Sequence, residues 1–425
     1  METDSLEEIA ALALEPEFEL SRVVVTRDRV ARADAAQPAL DHSTTLTLIA
    51  ICNGQAGVAS MPAGGGAKAL DEAVELAHER AEWKADNNGE GPLTEIPPLQ
   101  PQEAHGGFDP GTAAIDPADL AALAAKSCGE HPGTFVTITA AALDTLAADR
   151  DGGRASDSRT VAAVRAWTAS RGVCSSSSTA VAELDPDLCA RMAFMHGEYA
   201  LPAIEPETLP AVIGSEALAA ILDFVGSDLT AENPGGISPG QMIASAVVSL
   251  ADSPRLAGTL ERSLDAEGTA VREVQLIEHG ASRGLTSDLL TASDLSTGHS
   301  RSAIALWHPP GPSNLVMAPG DAPSERELAA DLDCLLVSAI ESLSREPDGT
   351  ICAVTAAAER KVRGEVLFTG PLEIALPRFG GLENVDALTA RRDLHAIGDS
   401  TKPREWRSVL CPSVRMTAVD LRSEA

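Results

Sequence analysis

The chain has 425 residues, 44% of them hydrophobic and 22% charged, an ordinary globular balance with length enough for two or three domains. Asp and Glu number 63 against 32 Lys and Arg, a formal net charge of −31, and a surface so acidic repels phosphate backbones and anionic lipid, which excludes nucleic acid and membrane surfaces as expected partners. The 7 cysteines are odd in number and widely spaced, with no C-x-x-C, so reduced thiols are expected rather than a disulfide framework or a zinc ribbon.

In chain order, the opening "METDSLEEIA" is acidic where a secretory signal would be basic and then apolar. No run approaches the ~18 apolar residues of a membrane span. A cytoplasmic protein is expected. "SLEEIAALAL" predicts a short helix, and the β-branched "SRVVVTRD" and "TTLTLIAICNG" predict strands. In "ASMPAGGGAKALDEAVELAHERAEWK", Leu70, Val74, Ala77 and Ala81 share one helical face. The glycines before it lack the Lys-Ser/Thr of a phosphate loop, so a plain loop into a helix is expected. Residues 84–116 are rich in Pro, Gly and polar groups and predict a long ordered excursion or a linker.

An Asp-Pro start predicts a second helix in "DPADLAALAAKSC". The strands "TFVTITAA", "TVAAVRAWTAS" and "VCSSSSTAVAEL" follow, and their serine-rich alternation predicts an antiparallel sheet with one wet face. "AVIGSEALAAILDFVG" predicts a strand and then a helix with Ser215 as N-cap and Gly226 as its stop. Beyond about residue 245 short strands and turns dominate, with one further helix expected near "SERELAADLDCLLVSAIESL". The class is α+β, with an N-terminal α/β sheet-and-helix domain (1–200) followed by a mostly antiparallel β domain (201–425).

Catalytic motifs are sparse. His78-Glu79 would need a histidine at 82 to complete H-E-x-x-H, and Glu stands there, so His78 reads as a structural or solvated side chain beside the apolar stripe. His196 and Glu198 have the H-x-E spacing of zinc deaminases without the downstream P-C-x-x-C. There is no G-x-S-x-G elbow. His308, before two prolines, reads as an extended-loop residue. In "STGHSRS", His299 and Arg301 could face a ligand, Arg301 holding a carboxylate in two parallel hydrogen bonds, or the loop could be a turn that satisfies its own backbone. Glu267 and Glu278 could act as bases, yet nothing in the sequence marks either as perturbed.

The run "DAEGT…LIEHG…LTSDLLTA…STGHSR" resembles the TldD/PmbA family, in which an acidic Glu-Gly turn precedes a "liE-G" strand and a Thr-Gly segment. "NPGGISPGQMIASAVVSLADSP", "NLVMAPGDAPSERELAADLDCLLV" and "CPSVRMTAVDL" are similar to further segments of the family, as are "GVASMPAGGGAKALDEAVELA" and "VAAVRAWTASRGVCSSSSTAV" upstream. "SSSS" at 175–178 departs from the more ordinary strand of the family.

The resemblance implies a two-chain assembly. One kind of subunit, TldD-like, carries H-E-x-x-x-H at the strand-to-helix junction and binds zinc; the other, TldE-like (PmbA), lacks that motif and pairs with the first around unfolded peptides. The corresponding junction here reads Ser215-Glu216-Ala217-Leu218-Ala219-Ala220. Glu216 keeps the Glu position, while Ser215 and Ala220 stand at the two histidine positions and offer no imidazole. The resemblance therefore implies a TldE-like chain with no catalytic residue, metal or cofactor of its own, and zinc in a TldD-like partner. It also implies Glu267, His299 and Arg301 as residues toward an extended peptide or the partner. Two other readings stay open: a stand-alone peptide-binding or regulatory homodimer, and a hydrolase that uses a different nucleophile on the same scaffold.

Overall fold

The computed structural model describes residues 5–15, 18–88, 96–102, 105–169, 173–196, 206–232, 236–289, 291–292, 295–301, 310–330, 332–398 and 405–422. Glu198 and His308 lie outside them, as does the expected domain boundary at 200/201.

The first half builds one antiparallel sheet. Helix α1 (Leu6–Ala13) opens with a capping box in which Ser5 and Glu8 each bond the other's backbone N–H. Strands β1 (Arg22–Ala33), β2 (Pro38–Cys52) and β3 (Gln55–Pro62) then lead into α2 (Gly66–Asn88). After α3 (Pro110–Ala114) and α4 (Pro117–Glu130), both capped by an Asp side chain, come β4 (Thr134–Asp149), β5 (Arg154–Thr168), β6 (Val173–Ser178) and α5 (Pro186–His196). The strand order is β3-β2-β1-β4-β5-β6.

The helices cover one face. Val74 and Ala77 of α2 join Ile9, Leu46 and Leu48 in one core, and Leu120, Ala124, Cys189 and Ala190 meet Ile138 and Val164 in another. At Gly57 a Cβ would stand 2.0 Å from the Ala77 carbonyl oxygen, so only glycine lets α2 press this closely on β3.

The wet face expected for this sheet is confined to one end, where Phe135, Arg165 and Ser175 stay exposed. The rest of that side is covered by loops of the second half: Leu264 with Val24, Ala147 and Ala155; Leu260 and Trp406 with Val30, Leu143 and Val161; Leu289 with Ile49 and Val58. The small residues alternating along β4 and β5 pack against a second layer instead of facing water. The described part of the 84–116 excursion is ordered between the layers. Pro97 accepts from the fully buried Arg22 at 2.6 Å, and Gly107 accepts from Thr160 at 2.8 Å.

The second half supplies β7 (Glu207–Ile213), α6 (Ser215–Gly226), β8 (Leu250–Asp252), β9 (Val274–Glu278), β10 (Ala281–Ser282), β11 (Asn314–Met317) and α7 (Glu325–Leu328). It ends with β12 (Cys334–Arg345), β13 (Ile351–Val362), β14 (Glu365–Gly370), β15 (Glu373–Leu376), β16 (Val385–Ile397) and β17 (Arg407–Arg422). Pairings β7–β12, β12–β13, β13–β15, β15–β17 and β17–β7 close a barrel. Helix α6 is mostly apolar and largely buried, with Leu218, Ile221 and Leu222 fully enclosed and Ser215, Glu216 and Asp223 as its polar positions.

Two local expectations are corrected. The N-cap of α6 is Gly214 rather than Ser215, and Gly226 is the last helical residue rather than a left-handed stop. Its closeness to Leu315 and Pro312 is what favours glycine there. The helix expected over 324–343 stops after one turn, and Cys334–Arg345 is a strand paired to β13 and β7. A short run buried on both sides carries no decisive period, and partner strands on either side settle it.

Candidate functional site

Helix α6 begins one residue after β7, so Ser215 and Glu216 stand at a strand-to-helix junction between the two halves of the molecule. Strand β16 crosses this junction, and period-two alternation puts Asp393 and His395 on one of its faces. His395 Nε2 lies 3.1 Å from Ser215 Oγ, and that hydroxyl donates to Asp393 Oδ2 at 3.3 Å. Cys411, paired with Asp393 across β16 and β17, donates its thiol to the Ser215 carbonyl at 3.3 Å. Glu216 accepts from the Ser175 backbone N–H, and Ser177 Oγ accepts from the Ala396 N–H at 2.8 Å, which joins β6 to β16.

Burial sets the electrostatics. It pushes the Glu216 carboxyl up to about 7 against only one opposing hydrogen bond. It lowers His395 despite the nearby Asp393, and it raises the Cys411 thiol. Asp393 is 39% exposed and paired with Arg391, so the cluster opens to solvent at that rim.

Ser215 offers a hydroxyl and Ala220 no donor at all, so these positions do not fit zinc. Among the described residues no three of His, Cys, Asp and Glu are placed to hold a metal ion.

The other sequence-marked residues form a separate polar knot. The acidic turn before β9 is held by Asp265, whose Oδ1 accepts from the N–H of Glu267 (2.9 Å) and Thr269 (2.8 Å) and whose Oδ2 accepts from Ser300 (3.0 Å). Gly268 sits at φ +69 in that turn, where a Cβ would come within 2.5 Å of the Ala147 Cβ, so both its handedness and the pressing sheet call for glycine.

Glu267 is fully buried. Its Oε2 accepts from Leu289 N–H at 2.9 Å, and Oε1 meets no partner among the described residues. Burial, then Asp288 and Asp265, push its carboxyl well above the usual range. Asp252 faces His299 at 3.3 Å, both with 0% side-chain exposure, and accepts from Ser313 and from the Asn314 N–H. Burial opposes its charge, yet His299 and those donors win and hold the carboxyl below the ordinary range. His299 Nδ1 reaches Thr297 Oγ1 at 2.8 Å.

The structure thus brings Glu267 and His299 into one knot that is sealed from solvent. Arg301, next along the chain, is only partly covered and stacks over Gly311, where any Cβ would fall 2.0 Å from Nη2. Its Nε and Nη2 have no partner among the described residues. Burial, then repulsion by Arg407, lower it to about 10. Arg407 itself bonds Asp223 at 2.5 Å, two turns along α6 from Ser215 and about 12 Å up its axis, so Arg301 and Ser215 belong to different sites. His78 bonds the Phe18 carbonyl at 3.0 Å, a structural role as expected, and Glu278 pairs at the surface with Arg283. The sequence reading missed Asp393, His395, Cys411 and Asp252; the one available signal was the Asp-x-His spacing on a strand.

Residues 206–421 match the family profile described as PmbA/TldA metallopeptidase C-terminal domain. The chain belongs to the PmbA/TldD family. The fold likeness spans the whole family architecture. TldE from Thermococcus kodakarensis superposes with a TM-score of 0.76 at 17% identity, covering 98% of this chain and 99% of that one. A proposed DNA-gyrase modulator from Bacteroides thetaiotaomicron (BT3649) gives 0.79 at 15% identity over 100% of both chains. Another from Thermotoga maritima (TM0727) gives 0.74 at 15%, over 98% and 99%. At these identities the likeness shows the fold alone. No curated protein sequence matches this one. This PmbA/TldD chain has no described helix long and apolar enough to cross a membrane.

Proposed function

We propose that this chain is the metal-free, TldE-like subunit of a two-chain cytoplasmic zinc metallopeptidase that degrades or trims unstructured peptides. It supplies dimer surface and part of the peptide path, and a TldD-like partner supplies the zinc. One observation carries the reading: at the β7–α6 junction the metal-motif positions hold Ser215 and Ala220, which cannot ligate zinc, so no water is acidified and no carbonyl polarised by a metal there. The full-length likeness to a TldE protein supports it.

Of Glu267, His299 and Arg301, this reading gives the substrate-facing role to Arg301, whose side chain is only partly covered. Its Nε and Nη2 are buried and have no partner among the described residues, so a peptide carboxylate would have to reach them past their cover. Glu267 and His299, sealed behind it, hold the loops that carry it.

The test is co-expression with a family member that keeps H-E-x-x-x-H, followed by size exclusion, metal analysis and cleavage of an unfolded peptide. A heterodimer is expected, with zinc in the partner and chelator-sensitive cleavage by the pair. Arg301→Ala should form the same pair and cut more slowly. Stoichiometric zinc on this chain alone would overturn the reading, and a homodimer that ignores the partner would point to a stand-alone peptide-binding protein.

A further inference from the structure

We infer that Ser215 and His395 form a nucleophile–base pair for acyl transfer, placed where the family's metal motif would begin. The inference goes beyond the subunit reading and does not depend on it, since neither zinc nor a partner enters.

Four observations carry it. First, Ser215 Oγ is 3.1 Å from His395 Nε2, within the reach a general base needs once the hydroxyl proton, which rests toward Asp393 Oδ2, turns to the imidazole. Second, Asp393 sits 3.3 Å from the same hydroxyl and on the same strand face as His395, where its charge favours the imidazolium that forms during transfer. Burial keeps His395 neutral at rest, the state in which it can accept a proton. Third, Ser215 is the first residue of a 12-residue helix whose N-cap is Gly214, with no side chain to cap the first-turn N–H groups. Such groups are the usual donors to a developing oxyanion. Fourth, the cluster opens outward past Asp393, at 39% exposure.

The last point separates it from Asp252, His299 and Thr297, which line up with the histidine in the middle and in which Asp252 and His299 have no exposed side-chain surface.

The substrate class is the amide or ester carbonyl of an extended peptide. The β6 and β16 strands flank Ser215; β6 is an edge strand, β16 pairs with β17 and, around Thr389, with Ala322, and β6 and β16 are joined here through the Ser177 hydroxyl rather than a ladder. Strand edges of this kind present main-chain groups to an extended chain. Ser215 Oγ bonds to the carbonyl carbon as His395 Nε2 takes the hydroxyl proton. The carbon–nitrogen or carbon–oxygen bond then breaks, and that proton leaves with the amine or alcohol. Water, giving a proton to His395, attacks the acyl-serine, the acid departs, and the proton returns to Oγ.

The experiment treats the purified full chain, in chelator, with a fluorophosphonate probe and maps the adduct by mass spectrometry. One adduct is expected, on Ser215, absent in Ser215→Ala. It should form about 10²-fold more slowly in His395→Gln, checked for folding by circular dichroism. The same variants should remove the acyl burst with a p-nitrophenyl ester. No adduct on wild-type Ser215 at saturating probe overturns the inference, whether or not His395→Gln folds, and so does an unchanged rate in folded His395→Gln. Neither result bears on whether a zinc-bearing partner exists.

Discussion

His299 stands between a hydroxyl and a carboxylate, His395 meets a hydroxyl that itself bonds a carboxylate, and the two histidines do opposite work. His299, pressed between Asp252 and Thr297, has no exposed side-chain surface, and the Asp252 carboxylate beside it is spent on joining loops. His395 meets Ser215 at the seam between the two sheets, beside a carboxylate that still touches water. The residue types are nearly the same. What divides a structural knot from a reactive one is whether solvent, and hence substrate, can arrive.

Breaking the sealed knot should have the largest effect. Asp252→Ala leaves the buried Ser313 and Asn314 N–H groups and His299 without their acceptor. A loss of about 3–5 kcal/mol is expected by denaturant titration. A stability within ~1 kcal/mol of wild type would show that the knot is not the structural element described.

Gly268→Ala comes next, because it forces a side chain into a left-handed turn and against Ala147. It should cost about 1–3 kcal/mol and lower the thermal midpoint.

Glu216 sharpens the comparison through pH. Its carboxyl titrates near 7 in the fold against 4.5 for the free group. The fold therefore binds this proton more tightly than the unfolded chain. That stabilisation is full below about pH 4.5 and is lost as pH rises to about 7. Glu216→Gln should flatten this part of the stability profile and raise stability at pH 8 by about 1–3 kcal/mol. Ser215→Ala should move stability least, by about 1 kcal/mol or less, since only one half-buried hydroxyl is lost. A collapse of the fold in that variant would place Ser215 with the structural knot.

Much of the architecture could be read from residue order. The β7–α6 unit was legible because "AVIGSEALAAILDFVG" carries a β-branched run, a glycine and then a mostly apolar helix. Asp116-Pro117 announced α4 in the same way. The stretch Cys334–Arg345 was not legible as a strand, since Leu335, Val337 and Ala339 suit a buried helix as well as a strand until β7 and β13 are in place. The covered second face of the first sheet was invisible for a related reason: Ala141, Ala147 and Ala155 look like neutral surface residues until Leu260 and Leu264 arrive from over a hundred positions away.

The site divides similarly. The vacant metal-motif positions 215 and 220 were readable locally. The Ser215–His395 contact joins residues 180 apart in the chain, and only tertiary structure brings them together.

Strand β17 has a consequence for biosynthesis. It pairs with β7, β11, β15 and β16, all of which precede it in translation. Until its last residues leave the ribosomal tunnel, the barrel is an open sheet with adhesive margins and a greasy α6 lacking its full cover. The nascent second half must therefore wait, shielded or chaperoned, and then close in one late event, and a ribosome stalled shortly before residue 422 would hold a chain primed to aggregate.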